Sequence, residues 1–266
     1  MSQRIAGSFQ PGRTSLIPFV TAGDPHPDWT VDVMHALVEG GANLIELGVP
    51  FSDPIADGPV IQQASERAIE RGVTLESVLD MVRAFRGDDP DTPVILMGYM
   101  NPIERFGATR LAEACAQAGV DGLLLVDCPP EEATELHESL SRHGLDVIYL
   151  VAPTTHEKRV ELICNRAGGF IYYVSFKGIT GADRLDAAAL EAPVSRIRAH
   201  SGLPVAAGFG ISDGASARAV SEYTDGVVIG SALVKQLAEC DSREEAVVLA
   251  RDFVASVRQA LDNEVT

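Results

Sequence analysis

Eight short apolar segments recur along the chain at fairly even spacing, and mostly amphipathic segments with apolar residues at helical spacing lie between them. The apolar segments cover residues 16–21, 43–48, 93–98, 122–127, 146–151, 170–175, 204–209 and 226–231. Strands that alternate with helices favour a parallel sheet, and eight such units in 266 residues predict a single (β/α)8 barrel, or TIM barrel, with extra helices. A doubly wound open sheet is the alternative. Because no linker or low-complexity segment interrupts the pattern, we expect residues 1–266 to form one domain.

Charge and hydropathy restrict the possible partners. The formal net charge is -17, which argues against nucleic acid as a partner because phosphate backbones need a basic surface. No apolar run is long enough for a membrane span, and the first residues lack the apolar centre of a signal peptide, so we expect a cytoplasmic protein without membrane contact. The four cysteines lie far apart, which favours free thiols over disulfides or a zinc site.

The segment ELGVPFSDPIADGP, residues 46–59, places a glutamate inside an apolar run and then an acidic loop rich in Pro and Gly. Glu46 lies near the C-terminal end of the second predicted strand, where the chemistry of a (β/α)8 barrel takes place. Burial there would raise the pKa of its carboxyl toward the range useful for proton transfer. The alternative is a structural glutamate that accepts a hydrogen bond from a nearby hydroxyl or backbone N–H. For Asp53 and Asp57 in the following loop, the alternative to a functional role is that each is a turn residue.

Three glycine-rich loops follow the last three predicted strands. Gly181, Gly208, Gly210 and Gly230 allow the backbone to approach a ligand closely, and Ser231 begins a predicted helix whose free N–H groups favour an anion. Loops after strands 7 and 8 are the usual phosphate site of such barrels. We therefore expect a phosphate site here, with glycines of tight turns as the alternative.

Five sequence segments together resemble the tryptophan synthase alpha chain family over nearly the whole chain. In order they are PFVTAGDP, IELGVPFSDPIADGP, LMGYMNPI, SFKGITGA and GFGIS…GSALV. The resemblance implies a TIM barrel that cleaves indole-3-glycerol phosphate to indole and glyceraldehyde 3-phosphate in tryptophan biosynthesis. The implied mechanism is a retro-aldol cleavage by acid–base catalysis, without metal or Schiff base. The chain itself has no strong cofactor signal.

The same resemblance implies roles for individual residues. Glu46 would be the general acid–base, Asp57 would face the indole nitrogen, and Tyr172 would lie near this catalytic pair. The implied substrate-binding residues are Phe19, Tyr99, Leu124, Leu150, Thr180, Gly181, Phe209, Gly210, Gly230 and Ser231. Phe19, Leu124, Leu150 and Phe209 would line the indole slot, with Tyr99 at its edge. The phosphate would meet Gly181, Phe209, Gly210, Gly230 and Ser231, and Thr180 would contact Asp57 when a lid closes. Each apolar residue could instead be part of the core.

The implied partner is the tryptophan synthase beta chain, a pyridoxal-phosphate subunit that receives indole through an internal tunnel in an alpha2beta2 complex. The docking surface would include the loop around Pro50 and Asp53 and the segments MNPIERFG and DCPPEE.

The sequence departs from the family pattern at two places. Phe176 and Lys177 stand in the lid after strand 6, where other members often carry different residues, and FQPGR would interrupt the helix before strand 1 and reduce the cover of the barrel bottom. Lys177 also leaves open a Schiff-base aldolase, although a solvated lid residue is the favoured interpretation. The scattered histidines disfavour a metal aldolase. A docking subunit without activity and a free-standing lyase remain as further alternatives.

Overall fold

The computed structural model describes residues 2–174, 187–208 and 210–263. Within these ranges, eight parallel strands pair in chain order, and the first also pairs with the last, which closes the barrel. The strands are Ser15–Thr21 (β1), Ile45–Gly48 (β2), Val94–Gly98 (β3), Gly122–Leu125 (β4), Asp146–Val151 (β5), Ile171–Val174 (β6), Val205–Gly208 (β7) and Gly226–Ile229 (β8). The predicted (β/α)8 barrel is confirmed, and the doubly wound alternative is wrong.

Helices surround the barrel and connect its strands. They are Gln3–Ser8 (α1), Thr30–Glu39 (α2), Pro59–Glu70 (α3), Leu75–Arg86 (α4), Met100–Phe106 (α5), Ala108–Ala118 (α6), Thr134–Arg142 (α7), Glu157–Arg166 (α8), Glu191–His200 (α9), Gly214–Ser221 (α10), Ser231–Leu237 (α11) and Arg243–Asp262 (α12). The connection between β2 and β3 contains both α3 and α4, as its length predicts. None of the helices in the described ranges is long and apolar enough to cross a membrane.

Two predicted strands end earlier in the structure, at Leu125 and at Ile229. After β4, the carboxylate of Asp127 accepts a hydrogen bond from the Met100 peptide N–H at 2.8 Å, so this residue caps the start of α5 rather than extending the sheet. After β8, Ser231 already belongs to α11. Both strands therefore give way to loops and helix starts at the end of the barrel that carries the site.

The core has two layers. An outer layer lies between strands and helices, and an inner cluster fills the barrel with residues such as Ile17, Ile95 and Ile148. The short helix α1 covers the bottom of this inner cluster, where Ile5 is fully buried and Phe9 packs against Phe170 with ring centroids 5.5 Å apart. The filled bottom leaves the opposite end of the barrel for a ligand.

Candidate active site

A cavity of about 500 Å³ opens among the described residues at the C-terminal ends of the strands. This volume lies within the range typical of small-molecule sites. The predicted site residues on its wall are Phe19, Glu46, Asp57, Tyr172, Gly210, Gly230 and Ser231. The fold thus brings the acidic segment after β2 and the glycine-rich ends of β7 and β8 to one place.

Glu46 lies in the middle of β2 and faces the barrel interior. Its neighbours Ile45 and Leu47 pack in the outer layer, as the alternation of side chains along a strand requires. Its side chain lines the cavity, yet the residue is only 1% exposed, and Oε1 has no hydrogen-bond partner among the described residues. Burial, with a smaller contribution from the charge of Asp57, raises the pKa of Glu46 from 4.5 to about 8. At neutral pH this side chain is therefore mainly protonated and can donate a proton.

Asp57 reaches the same cavity from the loop that precedes α3. The hydroxyl of Tyr99 donates a 2.9 Å hydrogen bond to its Oδ2 and accepts one from the Ala56 N–H at 3.0 Å. Gln62 on α3 donates to the Asp57 carbonyl at 2.8 Å. Burial raises the pKa of Asp57, and the hydrogen bond from Tyr99 opposes this rise. The Asp57 carboxylate is thus held by Tyr99, which follows β3, and the loop backbone is held by Gln62 from α3.

Tyr172 on β6 completes the group of titratable side chains. Burial first, and then the charges of Glu46 and Asp57, raise its pKa well above the ordinary value of 10, so it remains a neutral phenol. Its ring lies over β7 so closely that a Cβ added to Gly208 would meet the hydroxyl oxygen at 2.0 Å. The absence of a side chain at Gly208 therefore makes room for the ring of Tyr172.

Phe19 on β1 supplies an aromatic wall, and glycines on either side make room for its ring. A Cβ added to Gly48 would lie 2.6 Å from the ring, and one added to Gly230 would lie 3.2 Å from the Phe19 Cβ. Val60, Ile61 and Met97 extend this apolar wall, although the sequence did not single them out. Such a surface suits a flat aromatic ring.

Three predicted substrate-binding residues lie away from the described wall. Leu124 is fully buried in the inner cluster, and the half-buried Leu150 packs against that cluster. Tyr99 lies behind Asp57, where it holds the carboxylate and packs in a tilted arrangement against Phe51, with ring centroids 5.1 Å apart. The structure thus places Tyr99 against a catalytic candidate rather than in contact with the cavity.

The glycine-rich side of the cavity is formed by Gly210, Gly230 and the start of α11 at Ser231. Gly210 has a φ of 78°, a backbone conformation that side-chain-bearing residues rarely adopt. Sequence reasoning missed Ile211, Ser212 and Lys235 on this side. A signal for the lysine was present, since the chain has only three lysines and this one follows Ser231 by one helical turn.

Several predicted residues lie outside the described ranges. They are Thr180, Gly181, Phe209, Phe176 and Lys177. Their roles in phosphate binding and in the lid stay predictions.

A second recess of about 900 Å³ lies at the opposite end of the barrel, before β1, β7 and β8. Its arginines are engaged within the protein: Arg198 pairs with Asp225 at 2.8 Å, and Arg218 donates to the carbonyl of Leu261 at 3.0 Å. Neither Glu46 nor any other residue of the first cavity reaches it. In the described ranges, no three His, Cys, Asp or Glu side chains are grouped as metal ligands.

Comparison with known proteins agrees with this geometry. The family model of the tryptophan synthase alpha chain matches residues 5–262. The chain is 57% identical to the tryptophan synthase alpha chain of Ralstonia nicotianae, with 97% of this chain and 99% of the relative covered. A crystal structure of tryptophan synthase subunit alpha from Legionella pneumophila superposes with a TM-score of 0.91 at 43% identity, covering 99% of this chain and 100% of that one. A Mycobacterium tuberculosis tryptophan synthase structure gives a TM-score of 0.85 at 34% identity, with 97% and 100% covered. This chain therefore belongs to the tryptophan synthase alpha chain family.

Proposed function

We propose that Glu46, Asp57 and Tyr172 carry out the reaction of this family in the cavity at the C-terminal ends of the strands. The alpha chain is a carbon–carbon lyase that cleaves indole-3-glycerol phosphate to indole and glyceraldehyde 3-phosphate in tryptophan biosynthesis. The observation that carries the residue assignment is the buried Glu46 carboxyl, whose pKa of about 8 keeps it protonated beside a cavity that Asp57 also lines.

Cleavage requires the indole ring to leave with the electron pair of the bond between its C3 and the glycerol carbon. In the proposed first step, Glu46 gives its proton to indole C3, and positive charge develops at the ring nitrogen. In the second step, the resulting Glu46 carboxylate takes the proton of the adjacent glycerol hydroxyl. The carbon–carbon bond breaks, its electron pair restores the aromatic ring, and the hydroxyl carbon becomes an aldehyde. Glu46 ends the cycle protonated, as it began.

Asp57 has a complementary role in this scheme. A carboxylate beside the indole N–H stabilises the positive charge that forms after protonation of C3. The hydrogen bond from Tyr99 favours the charged form of Asp57 and fixes the direction of its Oδ2. Tyr172 stays neutral beside the pair and supplies a hydroxyl rather than a third negative charge.

The wall of the cavity divides into two parts that match the two ends of the substrate. Phe19, Ile61 and Met97 form the apolar part, which we assign to the indole ring. Gly210, Gly230 and Ser231 form the other part, which we assign to the phosphate through backbone N–H groups. Local donors of this kind are needed because a net charge of -17 repels an anion at long range.

The alpha chain pairs with the tryptophan synthase beta chain in an alpha2beta2 complex. We propose that the loop around Pro50 and Asp53 and the residues 100–107 and 127–132 form its docking surface. Ile55 in this loop is 86% exposed, the most exposed of the large apolar side chains among the described residues. We also propose a cytoplasmic location, which the family's place in biosynthesis supports.

The experiment that tests the function is to mix the purified chain with indole-3-glycerol phosphate and to follow the release of indole, with and without a beta chain. We expect slow release by the isolated chain and faster release in the complex. A chain that releases no indole in either case would be a docking subunit only. Rapid release that a beta chain leaves unchanged would instead indicate a free-standing lyase.

A further inference from the structure

Lys235 lies on the wall of the active-site cavity, on the glycine-rich side. It stands on α11, four residues after Ser231, so the two residues share one face of the helix. Its side chain is exposed, and no carboxylate in the described part of the chain forms a salt bridge with it. A position near the end of a seven-residue helix also favours a cation through the helix dipole, which is the purely structural explanation for a lysine here.

The direction of the side chain favours a role in the cavity. In an α-helix the Cα–Cβ bond is tilted toward the N-terminus, and long side chains lie over the preceding turn. The four steps from Ser231 to Lys235 span about 6 Å along the helix axis, a distance that a lysine side chain covers. The ammonium group can thus reach the space in front of Gly230 and Ser231.

The charges around the cavity make this lysine unusual. Glu46 and Asp57 are the acidic residues on the wall, and among the described wall residues Lys235 is the one with a basic side chain. The chain as a whole carries 38 acidic and 21 basic residues. The net charge of the chain therefore opposes the approach of an anionic substrate, and on the described wall Lys235 is the charged side chain that attracts it.

We propose that Lys235 is a binding residue that pairs with the substrate phosphate and selects phosphorylated over unphosphorylated indole glycerol. This inference rests on the proposed placement of the phosphate beside Gly230 and Ser231. The lysine acts on binding and leaves the proton transfers to Glu46, because the phosphate lies at the end of the substrate away from the bond that breaks. Its loss therefore raises KM and lowers kcat/KM, with little change in kcat.

The test compares Lys235→Met with Lys158→Met. Both variants remove one ammonium group, and Lys158 is exposed on α8 and does not line the cavity. Binding of glycerol 3-phosphate and of inorganic phosphate is measured by calorimetry, and kcat and KM are measured with indole-3-glycerol phosphate at low and high ionic strength. Lys235→Arg serves as the rescue variant, and binding of free indole reports on the apolar part of the cavity.

We expect Lys235→Met to weaken glycerol 3-phosphate binding by about tenfold at low ionic strength, and less at high ionic strength because salt screens the pair. Lys158→Met and Lys235→Arg should bind it like wild type, and all three variants should bind indole equally. Equal phosphate affinity of Lys235→Met and Lys158→Met would overturn the proposal.

A second result would also overturn it. If Lys235→Met lost kcat rather than affinity, and borohydride with glyceraldehyde 3-phosphate left a reduced adduct on Lys235, the lysine would be a nucleophile. The proposed function is judged separately, by indole release from the wild-type chain. If the wild-type chain released no indole, the proposed function would fail, but the phosphate titrations would still show whether Lys235 binds phosphate.

Discussion

Replacement of Glu46 by Gln tests the central claim that the site holds a buried, protonated carboxyl. The pKa of Glu46 rises from 4.5 to about 8 on folding. Between these two values the unfolded chain has released the proton while the folded chain keeps it. The contribution of Glu46 to the free energy of unfolding must therefore fall as pH rises, by about 1.4 kcal/mol per pH unit for one proton. The pKa difference of about 3.5 corresponds to about 5 kcal/mol in total.

Glutamine has nearly the same shape and does not titrate, so the Glu46→Gln variant lacks this loss. We expect its free energy of unfolding to increase relative to wild type from pH 5 to pH 8 and to level off above that. Cleavage of indole-3-glycerol phosphate should at the same time fall by at least about 100-fold, because the amide cannot donate the proton. In the wild type, kcat/KM should decline above about pH 8, as Glu46 of the free enzyme loses its proton.

The assay is urea unfolding of both proteins at closely spaced pH values, followed by circular dichroism. The informative quantity is the change with pH of the difference between the two proteins, because the exchange of carboxyl for amide adds a constant at every pH. Glu161→Gln, at an exposed position on α8, is the matched control. A difference that stays constant between pH 5 and pH 8 would mean that Glu46 is ionised in the folded protein, and the argument from burial would fail. A variant with more than a tenth of wild-type turnover would exclude Glu46 as the acid–base.

Three further predictions concern the rest of the site. Gly208→Ala should lower indole release strongly while the chain stays folded by circular dichroism, because its Cβ displaces Tyr172; wild-type turnover would show that the position of the tyrosine is unimportant. Ser231→Ala should weaken glycerol 3-phosphate binding only modestly, since the backbone N–H remains, whereas a large side chain at Gly210 should abolish it; the reverse order in a titration would make the hydroxyl the main anchor. Asp57→Asn should slow single-turnover cleavage both with and without the beta chain, and the beta chain should accelerate the wild type; a variant as fast as wild type would leave Asp57 as a turn residue.

Much of the architecture could be predicted from the sequence because it depends on two regular patterns, the spacing of apolar segments along the chain and the alternation of side chains along each strand. The even spacing of apolar segments predicted the eight-stranded closure, and the alternation of side chains along β2 accounts for the inward direction of Glu46 that the structure shows. Alternation shows which side chains face inward, however, but not how close each lies to the C-terminal end of the barrel. Met97 on β3 and Leu124 on β4 are partners in register and both face inward, yet only Met97 reaches the described cavity wall. Which inward residue lies at the top depends on the tilt of the strands, which no local pattern encodes.

Helix α5 was missed for a different reason. Met100–Phe106 has seven residues with a proline among them, and of these only Ile103 is buried, so no helical period appears. The contact of Tyr99 with Asp57 joins two loops that are 42 positions apart in the chain. The family resemblance placed Tyr99 at the edge of the indole slot, and only the folded structure shows it behind the carboxylate.

The close contact between Tyr172 and Gly208 also restricts how sequences of this enzyme can diverge. An alanine at position 208 forces Tyr172 out of its observed position, and phenylalanine does not remove the conflict, since the ring carbon Cζ would still lie 2.7 Å from the new Cβ. A lineage can therefore acquire a side chain at 208 only after the residue at 172 has become smaller, or together with that change. We therefore expect the two positions to change together, with the order of the substitutions deciding whether the intermediate protein is functional. A survey of natural sequences should show a larger residue at 208 only in combination with a smaller one at 172.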